Sequence, residues 1–439
     1  MVENAEHAGK AARRSGPLAV TSFRLLCIGQ FTSTVGDYCY AVALPWLILS
    51  AHGGPVLLGI VLACYGVPRA VMIPVGGMFA DRFSSRGVML ASDAIRCVLV
   101  AALAVLASHG LPALLLLGLV AALLGAGEGA FLPASAAIMP SLLPAEQLQS
   151  GNGLSAAAVQ VGSLIGPVLG GLLVTTGGIT AAFAVDAVTF AVSAGSLALI
   201  REPVPAQADG ARASMAGAGP HGAEPGGQAG AWRRLVGDRG LQVLILIVGL
   251  VSIVIAGTFQ VALPALAHAR FGAAGYGALL ACFGAGSLAG TVGAARLNGL
   301  RRPTEATCLG LLIGAIAIAT VPFLGGQTGA AAAVLVFGAA AMFGNVVMVT
   351  VLQRWAPAEL IGRAMSLVML ASMGAFPVAV AVAGLIVRGI GPGPFFPAAG
   401  AVLVAAVMLA LSQQAFREFG VPAEHQADPS DPASVPGSR

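Results

Sequence analysis

Long apolar runs recur along the whole chain, separated by short polar breaks. Crossing about 30 Å of hydrocarbon takes about twenty mostly apolar residues. Runs near 23–49, 56–80, 87–108, 112–138, 148–175, 179–200, 240–268, 275–298, 305–325, 329–352, 363–388 and 394–415 meet that length. With no water in the hydrocarbon, backbone groups must bond internally, which leaves helix bundles or closed barrels. The runs do not alternate with period two, so helices are expected rather than barrel strands. Between the sixth and seventh runs lies AQADGARASMAGAGPHGAEPGGQAG, almost free of large apolar side chains. Such a stretch cannot bury a core and predicts a flexible linker. The pattern therefore divides the chain into an N-terminal tail (1–22), a six-helix block (23–200), a linker (201–239), a second six-helix block (240–416) and a disordered tail (417–439). The expected fold class is an all-α membrane protein of twelve transmembrane helices in two six-helix bundles.

Composition sharpens this. Of 439 residues, 57% are hydrophobic and only 9% charged, against roughly a quarter charged in a soluble domain. The net charge of +4 is small, and basic residues flank apolar runs instead of lining a groove, so nucleic acid is excluded as a partner. Their placement speaks to orientation. Lys10, Arg13, Arg14 and Arg24 precede span one, and Arg82 and Arg86 join spans two and three. Arg201, Arg233, Arg234 and Arg239 lie in the linker, Arg301 and Arg302 follow span eight, and Arg354 and Arg363 follow span ten. All fall on one side of an even-numbered topology, while the opposite loops hold little beyond Arg270 and Arg388. Both termini are therefore expected in the cytoplasm, with the protein in the cytoplasmic membrane. The basic start resembles a signal peptide, but the apolar run behind it is too long and is followed by many more. Cys27, Cys39, Cys64, Cys97, Cys282 and Cys308 sit singly inside apolar runs and read as small core residues, not ligands or disulfides. The chain lacks HExxH, GxSxG, P-loop and His-rich signatures, so no enzyme, cofactor or metal site is expected.

Two motifs carry more specific information. Between spans two and three stands Gly76-Gly77-Met78-Phe79-Ala80-Asp81-Arg82-Phe83-Ser84-Ser85-Arg86. Gly77 would let this loop approach neighbouring helices, Asp81 would cap a helix end or pair with a cation, and Arg82 and Arg86 would pair with acids or lipid phosphate. Span five contains Gly162-Ser163-Leu164-Ile165-Gly166-Pro167-Val168-Leu169-Gly170-Gly171. Gly162, Gly166 and Gly170 share one helix face suited to close helix contact, and Pro167 loosens the helix there.

The first motif resembles the G-x-x-x-D-R-x-x-x-R loop signature of the major facilitator superfamily, and the second resembles the G-x-x-x-G-P-x-x-G-G string found mainly among its proton-driven exporters. The chain is also similar to the exporter subgroup that includes the enterobactin exporter and macrolide-efflux-like proteins. Gly36-Asp37, Ala43-Leu44-Pro45-Trp46, Pro68-Arg69, Ser92-Asp93-Ala94-Ile95-Arg96, Phe131-Leu132-Pro133-Ala134 and Pro140 carry this likeness in the first half. Gln353-Arg354-Trp355-Ala356-Pro357-Ala358-Glu359-Leu360-Ile361-Gly362-Arg363 matches the corresponding second-half loop, whose marked positions are Arg354, Glu359, Gly362 and Arg363. The resemblance implies the major facilitator fold, a conformational latch at Gly77, Asp81, Arg82 and Arg86, and an exporter-type helix at Gly162, Gly166, Pro167, Gly170 and Gly171. After span eight the chain departs from the pattern: Gly293-Ala294-Ala295-Arg296-Leu297-Asn298-Gly299-Leu300-Arg301-Arg302 has no acid, so the second-half latch is degenerate.

Ionisable groups inside spans are expensive, about 2.5 to 3.5 kcal/mol each on insertion scales, and mark function by default. Asp37 and Arg69 lie at similar depth in spans one and two, and Arg96 and Glu128 in spans three and four. Adjacent antiparallel helices would pair Asp37 with Arg69 and Arg96 with Glu128, with Asp93 joining that network or the latch loop. A midplane carboxylate beside a movable arginine can take a proton when the pair opens, which makes Asp37 the expected proton-coupling group. Asp186 reads as lying near the outer end of span six without an obvious partner, either an interfacial hydrogen-bonding group or a cavity residue, and His268 and Arg270 as surface residues. Phe259, Gln260, Asn345 and Met348 are candidate lining residues of the second half. Together these features point to a secondary transporter exporting a hydrophobic or amphiphilic small molecule by proton antiport. It is expected to act as a monomer, with small-molecule substrate, protons and membrane lipids as its partners. The alternatives are a proton-coupled nutrient importer, disfavoured by the export-type string and the scarcity of polar groups, and a non-transporting membrane sensor, which would need a signalling domain.

Overall fold

The structure, a computed structural model, describes residues 16–200, 237–296, 302–356 and 360–417. The expected linker up to residue 236, the tails outside 16–417, Glu359 and Arg301 lie outside the described residues. The first half comprises α1 (Thr21–Ser50), α2 (Gly54–Arg82), α3 (Ser85–Ala107), α4 (Leu114–Ala137), α5 (Leu148–Thr176) and α6 (Gly178–Leu199). The second comprises α7 (Arg239–Arg270), α8 (Gly272–Arg296), α9 (Pro303–Thr320), α10 (Gly326–Trp355), α11 (Ile361–Ile390) and α12 (Pro392–Ser412). Among the described residues, eleven of these helices are long and apolar enough to cross a membrane. The other is α1, which has the length, 30 residues, but carries Gln30, Thr32, Ser33, Thr34 and Asp37 in one stretch. Its polar content is explained by what it faces, the cavity described below.

Local chemistry sets the breaks. Asp81 and Arg82 belong to the last turn of α2, and the connection to α3 is only Phe83 and Ser84. The cap of α3 is Ser84, whose hydroxyl accepts from the Gly87 N–H at 2.9 Å. In α7, Pro264 has no N–H to offer the Gln260 carbonyl, and the helix passes through a π-turn at Thr258–Ala262. The Phe259 carbonyl there accepts from the Tyr276 hydroxyl at 3.1 Å. In α11, the break between Gly374 and Phe376 precedes Pro377, which starts the second piece without loss of a hydrogen bond.

Within the first half, α1 packs on α5 and α6, α3 on α6, and α2 on α4; within the second, α8 packs on α10, α9 on α10 and α12, and α7 on α11 and α12. The halves meet through α5 against α8 and α2 against α11. One apolar core joins both halves, built from the C-terminal ends of α1, α7 and α11 and the N-terminal ends of α2, α8 and α10, with Leu47, Leu58, Leu266, Tyr276, Phe337 and Val380 among its members. At the opposite end the core splits: Phe23, Met89 and Ile138 belong to a first-half cluster, Leu244, Leu352 and Phe416 to a separate second-half one. The molecule is thus sealed between its halves at one end and divided at the end that carries the Arg82/Arg86 turn.

Candidate functional site

The charged residues of the first half converge on a cavity of about 440 Å³ that includes Asp37, Arg69, Arg96, Glu128 and Asp186 in its wall. Their pairing differs from the one expected. Arg69 Nη2 lies 3.0 Å from Glu128 Oε1, and Arg96 Nη2 donates to Asp37 Oδ1. The reason is helix order in space. Sequence neighbours α1 and α2 scarcely pack, whereas α2 lies along α4. A Cβ on Gly125 would overlap the Tyr65 carbonyl, and one on Gly129 the Arg69 carbonyl, so this bare α4 face sets the register that brings Glu128 to Arg69. Arg96 crosses to α1 past Gly127, where a Cβ would stand 3.1 Å from the arginine Cγ.

Arg96 is the hub. Its side chain is 5% exposed, while that of its partner Asp37 is 41% exposed. Arg96 Nη1 also stands 3.8 Å from Asp93 Oδ1, and its guanidinium lies 4.1 Å from the centroid of the Phe190 ring. Asp93, fully buried, accepts from the Ser193 hydroxyl at 2.6 Å. Asp93 therefore belongs to the Arg96 network and not to the latch turn, because it sits one helical turn before Arg96 on the face of α3 that meets α6. Phe190 and Ser193 were not anticipated. Their spacing from Asp186, four and seven residues, is the one legible sign that they share its helix face. Asp186 is not at the outer end: a Cβ on Gly36 would overlap its Oδ1, which places it level with Asp37.

The Gly/Pro string lies between α1 and α8. Gly162, Gly166 and Gly170 meet Thr34, Tyr38 and Cys39 of α1, with the Cys39 thiol 3.6 Å from the Gly166 carbonyl oxygen. Gly171 meets Ala273 of α8, and a Cβ on Gly277 would overlap the Pro167 carbonyl, so backbone rests on backbone across the two halves. At the divided end, Arg86 donates from Nε to the Leu197 carbonyl and from Nη2 to the Ala198 carbonyl, both at 2.7 Å, satisfying the end of α6. Arg82 is exposed, 5.9 Å from the Phe83 ring. The close approach expected of Gly77 is made by its neighbour Gly76, on Ala130; the Asp81 side chain lies outside the described residues. Arg354 ends α10 and is exposed, and Gly362 and Arg363 open α11, with Gly362 free of close neighbours.

The second half contributes an apolar wall. Phe259, Gln260, Phe283 and Phe376 line a cavity of about 450 Å³ that shares Tyr38, Arg69, Gln260 and Phe376 with the charged one. The Phe259 ring lies 4.3 Å from Phe283 and 5.7 Å from Phe337, centroid to centroid. Ser252, Phe283, Ser287, Met342 and Ser372 connect that cavity to an apolar chamber of about 310 Å³ inside the second bundle, lined also by Asn345 and Met348. His268, exposed as expected, packs its ring on Trp46 of the first half at 5.1 Å, at the sealed end.

Two six-helix bundles sealed at one end around a central cavity, charged on one wall and apolar on the other, are the architecture of a multi-pass membrane transporter. The chain belongs to the Major Facilitator Superfamily, whose sequence profile matches residues 26–380. It is 30% identical over 185 residues to the multidrug efflux pump Tap of Mycobacterium tuberculosis, a match covering 40% of this chain and 43% of that one; the chain thus spans less than half the length of that relative. It is 26% identical over 348 residues to the enterobactin exporter EntS of Salmonella choleraesuis, covering 78% of this chain and 80% of that one. Among solved structures, a POT family transporter in complex with a thioalcohol-conjugated peptide superposes with a TM-score of 0.69 at 13% identity, covering 89% of this chain and 95% of that one.

Proposed function

We propose that this transporter exports a hydrophobic or amphiphilic organic compound across the cytoplasmic membrane in exchange for protons, acting as a monomer by alternating access. The observation that carries the coupling is the position of Arg96 between two acids of unequal exposure, Asp37 facing the cavity and Asp93 buried behind it. A proton arriving from the cavity reaches Asp37 first. Neutralised, Asp37 no longer holds Arg96, whose charge then falls to Asp93, and the link between α1 and α3 is released. Deprotonation draws the guanidinium back. One arginine thereby reports the protonation of a cavity residue to the packing of two helices.

Substrate would lie between the charged first-half wall and the phenylalanines of the second half, its apolar part extending toward the chamber beyond Phe283 and Ser287. The Arg-rich loops support a reading in which the divided end faces the cytoplasm and the cavity is open inward, with the Gly77, Asp81, Arg82 and Arg86 turn as the latch of that end when it closes. The names of the efflux relatives and the Gly/Pro string support the outward direction. The test is a panel of drugs and metabolites in cells with and without the gene, before and after the proton gradient is collapsed. Lower accumulation of at least one compound, reversed by the collapse, is expected. Accumulation that is greater with the gene would instead identify an importer.

A further inference from the structure

Four carboxyls, Asp37, Asp93, Glu128 and Asp186, surround two guanidinium groups, Arg69 and Arg96, within this one cluster. Arg69 is taken by Glu128, and Arg96 is divided between Asp37 and Asp93. Asp186 is left over. It is 1% exposed, and among the described residues no Lys, Arg or His stands within salt-bridge distance of it. Its Oδ2 has no hydrogen-bond partner, and its Oδ1 has only the Thr189 hydroxyl at 3.5 Å, which bonds more closely to the Asp186 carbonyl at 2.7 Å.

The groups that face Asp186 from the helices packed on α6 are few. From α1 they are Asp37, Cys39 and Tyr40; from α3 they are Asp93, Arg96 and Cys97; α5 carries no titratable side chain. The single cation among them is already shared by two acids. An ionised Asp186 would add a third negative charge to that arginine while itself almost entirely withdrawn from solvent. A neutral carboxylic acid has no such conflict.

Gly36 makes the coupling intimate. Any side chain there would overlap Asp186 Oδ1 and the Thr189 hydroxyl, so the α1 backbone lies directly on the carboxyl, one residue from Asp37. A change in the charge of Asp37 is therefore felt at Asp186, and the reverse.

We propose that Asp186 is a second proton-binding site of the cluster, holding a proton while Asp37 is paired with Arg96 and giving it up when that pair opens and Arg96 is free to face it. The release half of this statement rests on the proton-coupling reading above; the protonation half does not. The proton balance is simple: Asp37 gains one proton from the cavity, Asp186 loses one once the cavity has opened to the opposite side, and the Asp37 proton passes to Asp186 as the Arg96 pair re-forms, so one proton crosses per cycle.

Infrared difference spectroscopy of the purified full chain, comparing wild type with Asp186→Asn at neutral pH, tests the protonated state directly. The wild type is expected to show the carbonyl stretch of a buried, weakly hydrogen-bonded carboxylic acid, which D186N loses and Glu128→Gln retains; Asp37→Asn, which leaves Arg96 free to face Asp186, is expected to weaken it. Because Asn copies a neutral acid in size and charge, D186N is expected to fold with an unchanged thermal midpoint. Persistence of the band in D186N, or failure of D186N to fold, would overturn the proposal. In proteoliposomes, D186N is expected to make the pH dependence of transport steeper, because proton uptake at Asp37 is no longer offset by release from Asp186. An unchanged profile would remove the exchange between the two acids. If wild-type transport ignores the proton gradient altogether, the coupling reading falls while the band still decides the state of Asp186.

Discussion

Arg96 decides whether the first half holds together. Its replacement by Ala leaves Asp93, fully buried, with the Ser193 hydroxyl as its one hydrogen-bond partner among the described residues. Breaking a buried pair by removing one member costs about 3–5 kcal/mol. Thermal unfolding of the detergent-solubilised protein should show a clearly lower midpoint for Arg96→Ala. Arg96→Lys should recover part of the loss, because a single ammonium cannot fork to two acids or stack on Phe190 in the same way. The pairing itself is open to a double-mutant cycle. Arg69 and Glu128 should show a coupling of roughly 0.5–3 kcal/mol, and Arg69 and Asp37 a smaller one; the reverse order would restore the pairing expected from sequence adjacency. The ionisable residues of this site were legible because charge inside an apolar run needs a reason. Their partners were not. Depth along a helix can be counted from its ends, but which helices touch depends on the bare positions of α4, Gly125 and Gly129 against α2 and Gly127 against Arg96 of α3, whose role appears only once these helices are seen together. Asp186 was misplaced for the same reason: its level is set by Gly36 across the helix contact and not by its distance from the end of α6.

At the scale of single helices, the apolar pattern located every span to within a few residues, because hydrocarbon thickness imposes the length. What it could not give were the interruptions. The π-turn of α7 and the break in α11 each sit beside a proline, but a proline in a membrane helix is equally compatible with a smooth bend. The Gly/Pro string of α5 carried more than its spacing suggested. Three of its glycines serve α1, and Gly171 serves α8, so one helix binds its own half and the other half at once. Gly277→Val should therefore wedge α5 from α8, with an overpacking cost of about 1–3 kcal/mol directed at the sealed end alone. A cysteine placed at Ala273, buried in the wild type, should react faster with a membrane-impermeant maleimide in the Gly277→Val background. Equal rates would mean that the two halves are not held by this contact.

For the whole molecule, two blocks of six helices could be counted from the sequence, but which end is sealed could not, because every conformation of a transporter shares one sequence. The asymmetry lies in the cores: one that joins both halves at one end, and two that stop at the boundary at the other. The charged cluster sits where the sealed region gives way to the cavity, so a change in the Arg96 pairing acts on α1 and α3 beside the contact between halves. This is the central claim, and transport by proteoliposomes under an imposed pH gradient tests it most directly, comparing wild type with Asp37→Asn for a compound identified in the cell panel. Asp37→Asn is expected to lose gradient-driven accumulation while still binding the compound. Full gradient-driven transport by Asp37→Asn would contradict it.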